Sequence, residues 1–167
     1  MIVLISFKIF SLSSLFGTLL FIFLSISFLH ASYEIIESEN LFIVKTNNTD
    51  FETNLTNLKN EINFESFVTV YEINVAKSTN EIASKLSKNS VLEKGINLGI
   101  CKASFALQML EENYNNINYC PLGISVYQNS KNENFISYKK YKALKNGDKI
   151  ADKINESLKN LIIKSLD

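Results

Sequence analysis

The 167-residue chain is electrically balanced, and its composition excludes several classes of function. It carries 17 basic and 17 acidic side chains, which favours neither nucleic acid nor acidic lipid as a partner. It contains no arginine, so the bidentate guanidinium clamp on phosphate or carboxylate is absent. Its one histidine, His30, lies in the first apolar segment. We therefore expect a folded domain without imidazole for general-base catalysis or a zinc site, and we predict no cofactor.

Residues 1–31 form a long apolar segment that predicts export from the cytoplasm. Lys8 is the charged residue near its start, and the stretch 9–29 has no charged side chain. A signal peptide has an apolar stretch of roughly 7–15 residues and a spanning helix needs roughly 20, so the segment fits a signal peptide or a membrane anchor. Positive charge before the stretch and acidic residues after it place the domain outside. We predict a bacterial periplasmic protein, soluble after cleavage near Ala31 or anchored to the inner membrane through residues 9–29.

Periodic apolar residues predict nine secondary-structure elements after this segment. Residues 32–40 show no periodicity and are interpreted as a spacer, whereas residues 41–167 are interpreted as one domain. Two capping-box sequences, Thr49–Glu52 and Ser78–Glu81, predict the starts of the first two helices. In chain order we predict a strand at 41–46, a helix at 49–62, a strand at 67–73, a helix at 78–89, a strand at 96–100, a helix at 103–113, a hairpin of strands near 124–127 and 135–141, and a helix from 146–148 to the C-terminus.

The order of these elements, β-α-β-α-β-α-β-β-α, predicts an α+β fold. Each predicted helix has one apolar face, such as the stripe from Ile150 through Ile154 to Leu158, and that face must be buried against a neighbouring layer. We therefore predict a two-layer sandwich with a five-stranded sheet and helices on one face.

Cys101 and Cys120 are the first candidates for chemistry. Paired thiols in an exported protein tend to form disulfides, and a loop of about 20 residues would stabilise the fold by roughly 3 kcal/mol. Lys102 follows Cys101 at a predicted helix start, where a neighbouring cation lowers the pKa of a thiol. A disulfide, a reactive or metal-binding thiol pair and two unrelated buried cysteines are the three interpretations. A dedicated metal site needs more ligands, so we predict none.

Tyrosine and lysine residues on the predicted hairpin form an aromatic and basic pattern. Tyr127, Tyr138 and Tyr141 lie on its strands, and lysines flank the last of them. Such a strand pair can stack nucleic acid bases. The neutral charge and the predicted compartment argue against that function, so we predict no nucleic acid partner.

Several segments resemble the domain of unknown function family numbered 302. One is the early strand and capped helix, residues 41–62, and another is Cys120-Pro121-Leu122 before the strand that ends in Val126-Tyr127. A further one, Ile136-Ser137-Tyr138, is similar to the Val-Ser-Tyr of the family. The chain departs from the family at Asn74-Val75, where members often carry Asp-His, and at Cys101-Lys102-Ala103, where many carry Gly-Asn-Pro or Cys-Asn-Pro.

The resemblance implies a fold similar to the TATA-binding-protein class, β-α-β4-α with an antiparallel sheet, and a homodimer. It supplies no known reaction. An antiparallel sheet would bring Cys101 and Cys120 together, with the helix between them as an insertion between neighbouring strands. The candidate residues lining a site are Lys102, Pro121, Tyr127, Ser137 and Tyr138.

The leading functional hypothesis is a non-enzymatic periplasmic module that binds a small ligand or a protein partner. No pair of general base and nucleophile is recognisable in the sequence. The alternative is a thiol/disulfide redox or metal-handling protein that uses Cys101 and Cys120.

Overall fold

The folded domain consists of six β-strands, four α-helices and one 3₁₀ helix among the residues that the structure describes. The structure is a computed structural model and describes residues 33–47, 49–142 and 148–167. The elements in chain order are β1 (Tyr33–Glu37), β2 (Leu41–Thr46), α1 (Phe51–Phe64), β3 (Val68–Asn74), α2 (Val75–Lys85), β4 (Leu92–Cys101), α3 (Ala103–Glu112), the 3₁₀ helix (Tyr114–Tyr119), β5 (Leu122–Asn129), β6 (Asn134–Lys139) and α4 (Asp148–Lys164). The predicted export segment, residues 1–31, lies outside the described residues.

The strands form one antiparallel sheet in the order β1-β2-β6-β5-β4-β3. The predicted α+β class is therefore confirmed, and the antiparallel sheet agrees in outline with the fold that the family resemblance implied. β4 and β5 are neighbours, so α3 and the 3₁₀ helix are an insertion between adjacent strands.

The predicted count of five strands is wrong, because residues 33–37 of the predicted spacer form β1. This strand pairs with β2, and Ile35 lies opposite Val44. Ile35 is 44% exposed and Ile36 is 43% exposed. With neither face of β1 buried, its sequence lacks the alternation that marks a half-buried strand. Its backbone hydrogen bonds with β2 form the strand instead.

The hydrophobic core lies between one face of the sheet and the helices α1 and α4. Leu58 and Ile62 of α1 are fully buried, as are Leu98 of β4 and Ile124 of β5. Ile154 lies on the apolar stripe of α4 and is also fully buried. Burying one such side chain contributes roughly 1.5–3 kcal/mol, so this face stabilises the two-layer arrangement.

The first two helices begin at residues other than those predicted from the capping boxes. Asp50, rather than Thr49, caps α1 and accepts a hydrogen bond from Thr53 N at 2.9 Å. Asn74 caps α2 and accepts from Lys77 N at 2.8 Å, so this helix begins before the predicted Ser78. A short carboxylate or amide side chain satisfies the free N–H groups as well as Thr or Ser does.

None of the helices in residues 33–167 that the structure describes is long and apolar enough to cross a membrane.

Candidate functional site

The face of the sheet that points away from the core, called the outer face, carries small and polar side chains at its centre. Side chains alternate between the two faces of a strand. Gly95 and Asn97 of β4 therefore lie on the outer face, alternating along the strand with the core residues Ile96 and Leu98. Gly95 lies opposite Tyr127 of β5, and Asn97 lies opposite Ser125. This register forms a shallow floor of short side chains.

An open cavity of about 240 Å³ lies above this floor, beside the first turn of α2. Val75, the first residue of α2, and Leu92, the first of β4, form its aliphatic wall. A Cβ atom at Gly95 would lie 3.3 Å from Leu92 Cδ1 and 3.4 Å from Ala76 Cβ. Glycine at this position therefore lets the start of α2 pack directly on the strand.

Tyr127 forms the aromatic wall of the cavity. Its ring stacks on that of Phe135, with centroids 5.1 Å apart and an interplanar angle of 15°. Its cross-strand neighbour on the other side is Gly95, which has no side chain. One face of the Tyr127 ring thus has no side chain stacked from β4. Burial raises the pKa of the Tyr127 phenol, and the nearby Ser137 hydroxyl opposes part of that rise. The phenol is therefore neutral at physiological pH.

Three polar side chains cross the floor of the cavity on neighbouring strands. Asn97 Nδ2 donates a hydrogen bond to Ser125 Oγ at 2.9 Å. Ser125 in turn lies opposite Ser137 of β6. The residues that line the cavity include no Asp, Glu, Lys, Arg or His. The cavity therefore offers hydroxyl and amide groups within an apolar, uncharged surround.

The two cysteines lie at the other end of β4 and contact each other. Cys101 Sγ lies 3.0 Å from Cys120 Sγ, and both side chains are partly exposed thiols without a bond between them. Burial, followed by the hydrogen bond and charge of Cys101, raises the pKa of the Cys120 thiol to about 11. The pair is therefore close enough for chemistry, yet Cys120 is protonated at neutral pH. The described residues contain no cluster of three His, Cys, Asp or Glu that could hold a metal ion.

Lys102, the residue after Cys101, contacts the end of α1 and two aromatic rings. Its Nζ donates to the backbone oxygen of Glu65 at 2.8 Å and lies 5.1 Å from the centroid of Phe67 and 5.5 Å from that of Phe105. The ammonium group is therefore bound to the residue that caps the C-terminus of α1 and to two rings.

The predicted lining residues are distributed over several parts of the fold. Tyr127 and Ser137 share the outer-face cavity. Pro121 lies near Cys120 and lines a second shallow pocket. Tyr138 is 3% exposed, lies on the core face and donates from its hydroxyl to Asn155 O at 2.8 Å, so its prediction as a lining residue is wrong for both of these pockets. Alternation explains this, because Ser137 and Tyr138 are consecutive and face opposite ways.

Sequence reasoning missed the other residues of the cavity, among them Val75, Leu92, Gly95, Asn97 and Ser125. The sequence signal for part of this set was the run of small or polar residues at alternate positions of β4, beginning with Gly95 and Asn97. The strand predicted at 96–100 begins earlier, at Leu92, and therefore includes Gly95. Gly95 and Cys101 are six positions apart on an extended strand, a distance of roughly 20 Å, so the cavity and the thiols are separate sites.

Fold and cavity together define a small α+β domain with a neutral, ligand-sized cavity on the outer face of an antiparallel sheet. The chain belongs to the family described as Domain of unknown function DUF302, whose model matches residues 42–165. The resemblance found in the sequence is thereby confirmed.

A solved structure with a similar fold is the crystal structure of the uncharacterized conserved protein DUF302 from Bacillus stearothermophilus. The TM-score is 0.64 at 18% sequence identity, and the match covers 77% of this chain and 99% of that chain. At this identity the likeness concerns the fold alone. No curated protein matches the chain.

Proposed function

We propose that this DUF302 domain is a non-enzymatic binding module that takes a small ligand in the outer-face cavity and acts in the periplasm. The observation that carries the proposal is the cavity itself, in which Asn97, Ser125 and Ser137 converge below an aromatic and aliphatic wall. Small-molecule sites are concave and mostly apolar, with a few polar groups that orient the ligand. The arrangement of this cavity follows that pattern.

The character of the lining supports binding rather than catalysis. General acid–base chemistry requires a group whose pKa lies near the working pH, within hydrogen-bond reach of the substrate. The titratable side chain in the cavity is Tyr127, and burial moves its pKa further above neutrality. The serine and asparagine groups serve as hydrogen-bond donors and acceptors. The periplasmic location rests on the apolar segment at residues 1–31 and on the charges that flank it.

The test fills the cavity with a larger side chain and compares probe binding by the variant and by the wild type, measured by NMR. Backbone amide spectra of the domain would be recorded with four neutral probes, namely phenol, cyclohexanol, benzamide and N-methylacetamide. We expect at least one probe to shift the amide signals of Gly95, Asn97 and Ser125 in a saturable way, and Ser125→Leu to abolish this response. Lys139→Leu is the matched control, because it adds the same side chain to β6 outside the cavity.

Two results would contradict the proposal. One is the absence of a saturable shift at the cavity amides with every probe. The other is equal binding by the wild type and by Ser125→Leu, provided that both proteins melt cooperatively.

The second candidate function is thiol–disulfide exchange by Cys101 and Cys120, supported by the 3.0 Å approach of their sulfur atoms. In this reaction the two S–H bonds of the pair and the S–S bond of a partner disulfide break. One intramolecular S–S bond and two partner thiols form, so two electrons pass to the partner.

Oxidised glutathione is the partner for the test, with Cys101→Ser as the control. We expect intact mass to show one internal bond that reduced glutathione opens again. A bond that reduced glutathione cannot open would contradict an exchange function and identify a structural cross-link. Two fast-reacting thiols in protein taken from the periplasm would contradict the cross-link.

A further inference from the structure

The shape of the aromatic wall indicates what kind of ligand the cavity accepts. On the outer face, Tyr127 has two cross-strand neighbours, Phe135 on β6 and Gly95 on β4. Phe135 stacks on one face of the Tyr127 ring, and Gly95, the neighbour on β4, contributes no side chain to the other face. Val75 and Leu92 form the aliphatic wall of the same cavity. A planar ring placed between these walls would extend a stack of two rings to three.

Charge and size restrict the ligand further. An ionised group would find no opposite charge among the residues that line the cavity, and burial without a partner disfavours it. Lys45 lies opposite Phe135 on β2, and its ammonium group already pairs with Glu133 at 2.6 Å. An engineered apolar cavity of about 150 Å³ binds benzene, so the 240 Å³ present here is enough for one ring with a substituent.

We infer that the outer-face cavity takes a neutral aromatic molecule of one ring that carries a hydroxyl or amide group. The ring stacks on the free face of Tyr127, and its polar group hydrogen-bonds with Asn97 or Ser137 on the floor. This inference rests on the proposed function, because it names the ligand class for the same cavity.

The experiment compares probes that test the planar ring and the neutral charge of the ligand. Phenol is neutral, planar and hydroxylated. Cyclohexanol has the same size and hydroxyl group without a planar ring, and benzoate has the ring with a negative charge. Binding is measured by titration of the amide signals of Gly95 and Ser125. We expect phenol to bind about threefold to tenfold more tightly than cyclohexanol, the range that one aromatic contact provides, and benzoate to bind more weakly than phenol.

Three variants test whether the Tyr127 ring, rather than another part of the outer face, causes the preference for phenol over cyclohexanol. Tyr127→Leu should bind phenol and cyclohexanol equally, whereas Tyr127→Phe retains the ring and should retain the preference for phenol. Tyr71→Leu is the control, because Tyr71 lies on the outer face against Gly99 and outside the cavity lining. It should leave the preference unchanged. Thermal unfolding of each variant establishes that it folds.

The outcomes distinguish this inference from the proposed function. If cyclohexanol or benzoate binds saturably and as tightly as phenol, the inference of a neutral aromatic ligand is overturned. The proposal that the cavity is a binding site is then still supported. A preference for phenol that survives Tyr127→Leu also overturns the inference. The absence of a response at the cavity amides to any neutral probe overturns both.

Discussion

Oxidation of the thiol pair should stabilise the domain, and the structure provides the magnitude. The sulfur atoms of Cys101 and Cys120 are 3.0 Å apart, while a disulfide bond is about 2.05 Å long, so a movement of roughly 1 Å closes the gap. The bond would enclose α3 and the 3₁₀ helix in a loop of about 20 residues, which contributes roughly 3 kcal/mol in the chain-entropy model. For a domain of this size we expect the melting temperature to rise by about 10 °C.

The assay compares thermal unfolding of the domain after treatment with oxidised glutathione and after full reduction. Intact mass establishes the loss of two hydrogen atoms, and Cys120→Ser, which cannot form the bond, controls for other effects of the oxidant. Equal melting temperatures for the bonded and reduced forms would refute the entropic reasoning. Failure to form the bond at all would refute the argument from sulfur proximity.

Three further predictions concern side chains whose partners are known. Tyr138→Phe removes the hydrogen bond to Asn155 O and should lower the free energy of unfolding by about 1 kcal/mol, measured by urea titration. Asn155→Ala removes two hydrogen bonds with the backbone of Tyr141, at 2.8 and 2.9 Å, and should lower the free energy of unfolding by about 1–3 kcal/mol. A decrease smaller than that caused by Tyr138→Phe would contradict this account. The folded-state pKa of Cys120 is raised from 9.0 to about 11, so the folded state retains a proton that the unfolded state releases. The stabilisation from this thiol is therefore complete below pH 9 and is lost as the pH rises to about 11. Over this range the free energy of unfolding of the reduced protein should fall more steeply than that of Cys120→Ser. Identical pH profiles for the two proteins would contradict this account.

Local patterns in the sequence were enough to identify most elements of the fold. The residues of β2 alternate between buried and less buried, and Ile154 and Leu158 of α4 recur at helical spacing, because each element buries one of its own faces. The predicted bounds of β2 agree with the structure. β1 was missed because both of its faces are exposed, so its strand conformation depends on pairing with β2 rather than on its own side chains.

The candidate site could be predicted only in part, for a related reason. The sequence marked Tyr127 and Ser137, but it did not indicate that Tyr138 faces the core or that Gly95 lies opposite Tyr127. Those relations depend on the register between strands, and a shift by one residue would exchange the two faces.

The sequence by itself therefore determined the order of most elements, the neutral charge and the family, and it predicts export from the apolar segment at residues 1–31. The tertiary structure decided which distant residues meet: Gly95 with Tyr127 at the cavity, and Cys101 with Cys120 at the opposite end of β4. The physical reason is the range of the interactions. Periodicity records how one element buries its own face, whereas a cavity or a thiol pair arises from the pairing of strands that lie far apart along the chain.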